Sequence, residues 1–505
     1  MRKATVEIDK VTGTEFPPRS VRHDGQEYSL ASIFRDAGIE LSVVEDQADL
    51  PPPPPGQDFD LPLLHEYMSK YRKETRDGWY AHILVVPRIE YQEGWSIVKP
   101  LGVMYDFRSG DLNNMPREGC AMSMSAVPAD PRAYLRTLAH ELGHVFNLLH
   151  PKAELPPQAI DTSLMNQTAD LQALGAFPDN IELSFSASNK LWLSQGPAEF
   201  VMPGGRPYTA RPDDAGTLVR DEALEVTSGL TLEISTRAGT FELGEPLYLR
   251  ITLRNDTKQP MLVNSTLSIA DGSVEVWITT PSHREFRFKP VVATCHEAQS
   301  VMLPPGAEIL ASEPIFFGAG GHSFPAPGPY QIRARLQATA SGRQLAAVSK
   351  AYAIEVLPPV SAADVDVADA LASPSAALYL ILRGGAHLRG AEATLSRIVR
   401  EAPSRAAAQH AKLAMAAQAL TPTTLNPEKA AHLLESVALE RLDRTHRAEH
   451  QRLLGLARAC QGDERRLEAA VQQFETLAQS SRVAAESLVD DTKRWIEGIR
   501  RKTQR

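Results

Sequence analysis

The chain has 505 residues, which is enough for roughly two to four domains of ordinary size. Hydrophobic residues make up 43% of the sequence and charged residues 23%, and this balance excludes a largely disordered or fibrous protein. The 62 acidic side chains outnumber the 53 basic ones and give a formal net charge of -9, so we expect no nucleic acid among the partners.

The sequence gives no sign of a membrane or a disulfide framework. It contains no run of about 18 apolar residues, and no apolar segment follows the basic first residues. We therefore expect no membrane partner and, without a visible Sec signal, a cytoplasmic location by default, although export by another route leaves no readable mark. Cys120, Cys295 and Cys460 are widely separated, which predicts buried free thiols.

Residues 1–200 mix helical and strand patterns, and we predict a single α/β domain there. Apolar spacing predicts a short helix over residues 29–37 and a strand over 39–44. The proline run at 51–55 predicts an extended connector, and Asp60 then caps a second helix.

Three strand candidates precede the part of the chain that carries the chemistry. They cover residues 81–86, 102–107 and 120–127. Asp130 followed by Pro131 then predicts the start of a new helix, since Asp is a good cap and Pro suits the first helical position.

The residue pattern and composition of the remaining sequence change twice. We interpret residues 201–225 as a linker and residues 226–358 as an all-β sandwich, because short alternating strands are separated there by turn residues. This region resembles bacterial immunoglobulin-like domains in its segments 241–246, 254–256 and 327–330. Residues 359–505 are rich in Ala, Leu, Glu and Arg, which predicts an all-α domain.

Amphipathic stretches in this last region predict successive helices at 391–401, 406–419, 427–439, 447–461 and 467–477. The nearest resemblance is to tetratricopeptide-type stacking. No clean 34-residue consensus can be aligned, so the prediction of helices is firmer than the prediction of true repeats.

The string from His140 to His150, HELGHVFNLLH, contains a set of metal-ligating residues. His140 and His144 are four residues apart, so both imidazoles project from one face of a helix, with Glu141 beside them. In an unbroken helix His150 would lie about 15 Å from His140, too far to share an ion. The helix must therefore end first, and we place the turn at Asn147 because Asn tolerates the left-handed conformation.

These residues resemble the signature of the metzincin clan of zinc metallopeptidases, HExxHxxGxxH followed by a methionine turn. Asn147 stands where the clan has glycine, and Met165 in the segment 161–166 is the candidate for the methionine turn. The resemblance covers roughly residues 25–200. It implies Zn²⁺ bound by His140, His144 and His150, an apolar floor formed by Met165, and Glu141 as general base.

The resemblance also implies that a substrate lies extended along an edge strand beside the active-site helix. The candidates are residues 102–107 and 120–127, and the sequence does not decide between them. Cys120 invites comparison with zymogens in which a thiolate blocks the zinc. We consider that role unfavoured, because Cys120 stands in an apolar run and no separate propeptide is visible.

Two classes of function remain open. The favoured hypothesis is a zinc endopeptidase acting on a protein or peptide, with the two C-terminal domains recruiting the substrate or a partner. The alternative is a non-catalytic interaction protein in which those domains bind a partner and the metal only stabilises the N-terminal fold. Hydrolysis of a non-peptide amide would use the same site. The presence of Glu141 argues against a site that binds metal without catalysis.

Overall fold

The computed structural model describes residues 1–461, except for gaps at 54–57, 74–77, 94–95, 106–116, 128, 152–153, 155–157, 212–225, 265–266, 296–299, 341–342, 389 and 422–423. Within these residues the chain is a mixture of helices and several sheets. The predicted helix at 467–477 lies outside the described residues.

The part before residue 211 contains both strands and helices. The strands are β1 (Arg2–Lys10), β2 (Val21–His23), β3 (Gln26–Tyr28), β4 (Ile39–Glu45), β5 (Tyr80–Val86), β6 (Tyr91–Glu93), β7 (Ser96–Val98), β8 (Gly102–Tyr105) and β9 (Gly119–Ser123). The helices are α1 (Leu30–Asp36), α2 (Leu61–Tyr71), α3 (Pro131–Val145), α4 (Thr168–Ala173), α5 (Ala187–Gln195) and α6 (Ala198–Val201). Helices predicted after Asp60 and Asp130 are present as α2 and α3, each capped by the predicted aspartate.

The described residues from 226 to 358 form strands. They are β10 (Leu230–Ser235), β11 (Thr240–Glu242), β12 (Tyr248–Asn255), β13 (Met261–Asn264), β14 (Val274–Thr279), β15 (Glu285–Arg287), β16 (Val292–Cys295), β17 (Ser300–Leu303), β18 (Glu308–Pro314), β19 (Phe317–Gly318), β20 (Gly321–His322), β21 (Gly328–Ala340), β22 (Arg343–Val348) and β23 (Tyr352–Leu357). The two larger sheets have the orders β10-β12-β18 and β11-β23-β21-β14-β15, with β22 paired to β21.

The described residues after 358 form helices. They are α7 (Ala362–Leu371), α8 (Pro374–Leu382), α9 (Ala391–Glu401), α10 (Ala406–Ala419), α11 (Pro427–Glu435) and α12 (Arg444–Cys460), with a short 3₁₀ turn at Leu439–Arg441. The sequence predicted α9 and α10 with these bounds, and it missed α7 and α8. Among the described helices, none is both long and apolar enough to cross a membrane by itself; α7 and α8 reach that length only as a pair bent by 67°.

A six-stranded sheet in the order β16-β8-β9-β5-β1-β4 positions the candidate site. Strands β9, β5, β1 and β4 are parallel, and β8 is antiparallel to β9. Because side chains alternate along a strand, Val6 and Ile8 lie on the face that packs against α1 and α3, which we call the front face. Glu7 and Asp9 lie on the opposite, back face, where α2 packs.

The sixth strand of this sheet comes from the predicted sandwich. Strand β16 pairs antiparallel with β8, from Val292 opposite Tyr105 to Cys295 opposite Gly102. The apolar core behind the sheet also continues from α2 through the sandwich strands into the C-terminal helices. The three regions are therefore joined by main-chain pairing and by a shared core.

Candidate metal centre

Helix α3 carries the first part of the HELGHVFNLLH string against the front face of the sheet. The Asp130 carboxylate accepts a hydrogen bond from the Arg132 N–H at 2.8 Å, which satisfies one of the free donors at the helix start. From residue 135 to residue 145 every side chain of the helix is buried. The two histidines and the glutamate are therefore held in the protein interior.

The helix ends just before Asn147, where the chain reverses. Asn147 has a φ of 63°, in the left-handed region. The Leu148 N–H donates back to the Gly143 carbonyl at 3.0 Å, and the buried Arg117 guanidinium donates to the Val145 carbonyl at 2.5 Å. This turn returns the chain toward the helix and brings His150 beside the first two histidines.

Three imidazoles converge, and we call His140, His144 and His150 the histidine cluster. The Nε2 atom of His144 lies 3.1 Å from the Nε2 atoms of both His140 and His150, and the His140 and His150 Nε2 atoms are 3.2 Å apart. All three side chains are buried. The structure therefore brings together the three residues that the sequence analysis selected as ligands.

The other ring nitrogens show why the Nε2 atoms face one another. His140 Nδ1 lies 2.6 Å from the Leu164 carbonyl oxygen, and His144 Nδ1 lies 2.8 Å from the Leu148 carbonyl oxygen. A carbonyl only accepts, so each Nδ1 carries the proton and each Nε2 presents a lone pair. Lone pairs converging at such distances repel one another, and a bound cation would relieve that repulsion.

Burial keeps these imidazoles in their neutral, ligating form. It lowers the pKa of His140 well below its usual value, and the neighbouring His144 ring lowers it further. Burial likewise lowers the pKa of His144 to about 4. A tetrahedral ion with metal–nitrogen bonds of about 2.0–2.1 Å separates two ligand nitrogens by about 3.3 Å, close to the spacing of this cluster. The cluster is thus a buried group that can bind a metal ion.

Glu141 follows the first ligand directly and lies against strand β8. A Cβ atom built on Gly102 would lie 2.6 Å from Glu141 Oε1, so only glycine allows the strand to approach the carboxylate this closely. Cys120 stands on the neighbouring strand β9, where burial and the charge of Glu141 raise the pKa of its thiol well above the usual value. Burial and the neighbouring carboxylate therefore favour the protonated thiol over the thiolate.

Met165 lies beneath the helix. A Cβ built on Gly143, between the first two histidines, would be 2.5 Å from Met165 Sδ. The loop around Met165 is held by the buried Arg136, which donates to Thr168 Oγ1 at 2.9 Å and to the Asn166 carbonyl. The loop thereby gives the Leu164 carbonyl its position beside His140.

Tyr208 belongs to the site and was missed by the sequence analysis. Its hydroxyl lies 3.0 Å from His144 Nδ1 and 3.4 Å from the Leu148 carbonyl oxygen, so it accepts from the ring and donates to the carbonyl. It stands in the segment 201–225 that the sequence assigns to a linker, and no local motif marks it. Asn147 also holds this segment, since its Nδ2 donates to the Ala210 carbonyl at 3.0 Å.

A second group on the back face has metal-ligating residue types, and we call Glu7, Asp9 and His82 the carboxylate cluster. Here several of the polar atoms have protein partners, although Glu7 Oε1 is buried without a hydrogen bond to any described residue. His82 Nε2 lies 3.0 Å from Asp9 Oδ2, and Glu7 Oε2 accepts from the Tyr80 hydroxyl at 2.6 Å. Glu7 and Asp9 were not among the residues predicted from the sequence, and their alternation with Val6 and Ile8 was the available signal.

Comparison with known proteins assigns no family. No family model and no curated protein matches the chain. The CARDB domain of a Pyrococcus furiosus protein is 14% identical over 25% of this chain and 91% of its own, with a TM-score of 0.14. The bacterial hydrophobin BslA is 15% identical over 26% of this chain and 97% of its own, with a TM-score of 0.15. A Listeria innocua beta-glucosidase is 12% identical over 70% of this chain and 46% of its own, with a TM-score of 0.15. TM-scores this low assign no fold.

Proposed function

We propose that the chain is a zinc-dependent endopeptidase of the metzincin type. The observation that carries the proposal is the convergence of three imidazole nitrogens, 3.1–3.2 Å apart, beside a buried glutamate. Three nitrogen ligands with tetrahedral spacing favour Zn²⁺ and leave a fourth position for the reaction. When bound, zinc supplies Lewis acidity that polarises a peptide carbonyl and acidifies a water molecule.

The chain's own residues perform the proton transfers and the positioning. Glu141 takes the proton of the attacking water and delivers it to the leaving amine. Leu164 and Leu148 carbonyls fix the tautomer and orientation of the His140 and His144 rings, which sets the direction of their lone pairs. Strand β8, whose Gly102 lies against Glu141, has main-chain groups on which an extended peptide would pair if the side now facing β16 were freed.

We extend the proposal to the architecture. Residues 1–200 form the metzincin-like catalytic domain, 226–358 an immunoglobulin-like sandwich and 359–505 a helical-repeat domain. The two C-terminal domains then recruit a protein substrate or partner. The support for this division is the change from mixed helix and strand to strands alone and then to helices alone among the described residues.

One observation favours a second function. His140, Glu141, His144 and His150 are all buried, as expected if the metal only stabilises the fold of an interaction protein. In that case Glu141 has no role in any activity. The two functions therefore differ in what a change at Glu141 does.

The test is cleavage of a diverse peptide library by the full zinc-loaded chain, with the products identified by mass spectrometry. The matched variant is Glu141→Gln, which keeps the size of the side chain and removes the base. We expect the metal content to stay at that of the wild type and the yield of every product to fall at least about 100-fold. Equal yields from the two proteins would refute the assignment of Glu141 and favour the structural metal.

A further inference from the structure

The edge strand that a substrate would use is already paired. Of the strands before residue 211 in the six-stranded sheet that carries the site, which we call the main sheet, β8 is the outermost one beside α3, because β9 lies between β8 and β5. A peptide pairing with β8 would pass Gly102 and hence Glu141. In the structure β16 takes that side, with Cys295 opposite Gly102 and Ala293 opposite Met104.

Strand β16 is held from its other side by its own region of the chain. The Thr294 N–H donates to the Ala270 carbonyl at 3.0 Å. Since N–H groups alternate in direction along a strand, the Ala293 N–H points toward β8 and pairs with Met104. The strand thus presents to β8 the main-chain donors and acceptors of an extended peptide.

The turn before β14 covers the histidine cluster itself. Gln167, two residues after Met165, donates through Nε2 to the Asp271 carbonyl at 2.8 Å. A Cβ built on Gly272 would lie 4.0 Å from His150 Nδ1. The space left beside His150 encloses about 30 Å³, enough for one or two water molecules and far too little for a peptide.

The packing behind β16 is incomplete. A pocket of about 100 Å³, partly open to solvent, lies on the side of the strand away from the histidines, lined by Val292 and Thr294 together with Leu61, Phe288 and Ile381. Side chains that line a pocket make fewer dispersion contacts than fully packed ones, so the strand is held less firmly than a core strand. With only four residues, β16 is also short enough to separate from β8 without unfolding the main sheet.

From these contacts we propose that residues 267–295, here called the covering segment, hold the enzyme latent. Its strand β16 occupies the substrate edge of β8, and its turn at Asp271 and Gly272 closes the histidine cluster. Cleavage then requires the covering segment to move away from β8. This inference rests on the proposed peptidase function, and the experiment below separates the two.

The opening variant is Ala293→Pro in the full chain, which removes the N–H that faces β8. The matched control is Met302→Pro, which places a proline in the short strand β17 of the same region, away from the site. Gln167→Ala, which removes the bond to Asp271, is a second and milder opening variant in case Ala293→Pro fails to fold. Retention of one metal ion per chain shows that each protein is folded at the site.

Two readouts are compared on these proteins. The first is the affinity of the cobalt-substituted proteins for acetohydroxamate, measured from the visible spectrum of the bound cobalt. This binding measurement does not depend on catalysis. The second is the rate of cleavage of library peptides by the zinc-loaded proteins. We expect both to rise at least tenfold in Ala293→Pro and severalfold in Gln167→Ala, and to stay at the wild-type level in Met302→Pro.

The outcomes distinguish the two proposals. If the wild type binds acetohydroxamate and cuts peptides as well as both opening variants, latency is overturned and the peptidase function stands. If the opening variants bind acetohydroxamate more tightly but cut no peptide, the peptidase function is overturned and only the covering of the metal site survives. A gain of cleavage that disappears on adding Glu141→Gln supports both.

Discussion

The main sheet carries a buried histidine-containing cluster on each face, and the two differ in what satisfies the ring nitrogens. On the front face, His140 and His144 give their Nδ1 protons to backbone carbonyls, so that their Nε2 lone pairs converge. On the back face, His82 Nε2 meets the Asp9 carboxylate at 3.0 Å. Similar residue types therefore form a group of converging imidazole nitrogens that can bind a cation on the front face, and an imidazole–carboxylate contact on the back face.

The largest expected effect is the stabilisation of the folded chain by zinc at the histidine cluster. We predict that free zinc at about 1,000 times its Kd raises the free energy of unfolding of the wild type by about 4 kcal/mol, because the ion binds only the folded cluster. His144→Ala abolishes the response, whereas the matched back-face variant His82→Gln keeps it. Denaturant unfolding in zinc-buffered solutions measures all three proteins, and a zinc response that survives in His144→Ala would remove the distinction between the clusters.

The next largest effect is the loss of stability when the carboxylate cluster is disrupted. Asp9→Ala leaves two donors without their acceptor, the buried His82 ring and the partly buried Gln47 N–H, which donates to Asp9 Oδ1 at 2.8 Å. We predict a loss of about 3 kcal/mol in the free energy of unfolding, with unchanged metal content. Asp9→Asn keeps an acceptor oxygen and should cost less. A fall in bound zinc in Asp9→Ala would show that the carboxylate cluster also holds metal.

A histidine pair between α2 and the turn that follows α8 extends the comparison to histidines that contact each other. His65 Nδ1 lies 2.7 Å from His387 Nε2. Burial lowers the pKa of His387 to about 4, and burial with the neighbouring ring lowers the pKa of His65 well below its usual value. Between the ordinary value of 6.5 and about 4 the unfolded state binds more protons, so stability is lost as pH falls through this range.

For His387 alone this linkage amounts to about 2 kcal/mol between pH 7.5 and pH 5. His387→Gln, which cannot titrate, should lose less stability over the same range than the wild type does. Urea unfolding of metal-free protein at the two pH values checks the difference. An identical loss in both proteins would mean that this pair has no part in the acid sensitivity.

The smallest effect comes from Tyr208. Its hydroxyl accepts from His144 Nδ1 at 3.0 Å, so Tyr208→Phe removes one contact that orients a ligand and keeps the packing of the ring. We predict about a tenfold weaker zinc affinity, or about 1.4 kcal/mol. Competition with a zinc chelator measures it, and Tyr80→Phe on the back face is the matched control, which should leave the affinity unchanged.

The parts of the site that follow from helical spacing could be predicted from the sequence. Because they are four residues apart on a helix, His140 and His144 lie about one helical turn apart on the same face. His150 can reach the same ion only if the chain turns before it, and Asn147 is suited to make that turn. The capped starts of α2 and α3 were likewise readable from Asp60 and Asp130, since caps are local signals.

The contacts between residues far apart in the sequence could not be predicted. Strand β16 joins the sheet through main-chain hydrogen bonds, which have no sequence code, and Val292 lies far along the chain from its partner Tyr105. Tyr208 approaches His144 from a segment with no regular pattern. The covering of the histidine cluster depends on both kinds of contact, so the sequence indicated the ligands and gave no sign of the closed site.

The central proposal is that, of the two clusters, the histidine cluster and not the carboxylate cluster binds zinc. Elemental mass spectrometry of the wild type, His144→Ala and His82→Gln, all purified without chelator or metal-binding tag, tests it most directly. The account predicts close to one zinc per chain in the wild type and in His82→Gln, and none in His144→Ala. Absence of zinc from the wild type after reconstitution, or equal zinc in the wild type and His144→Ala, would contradict it.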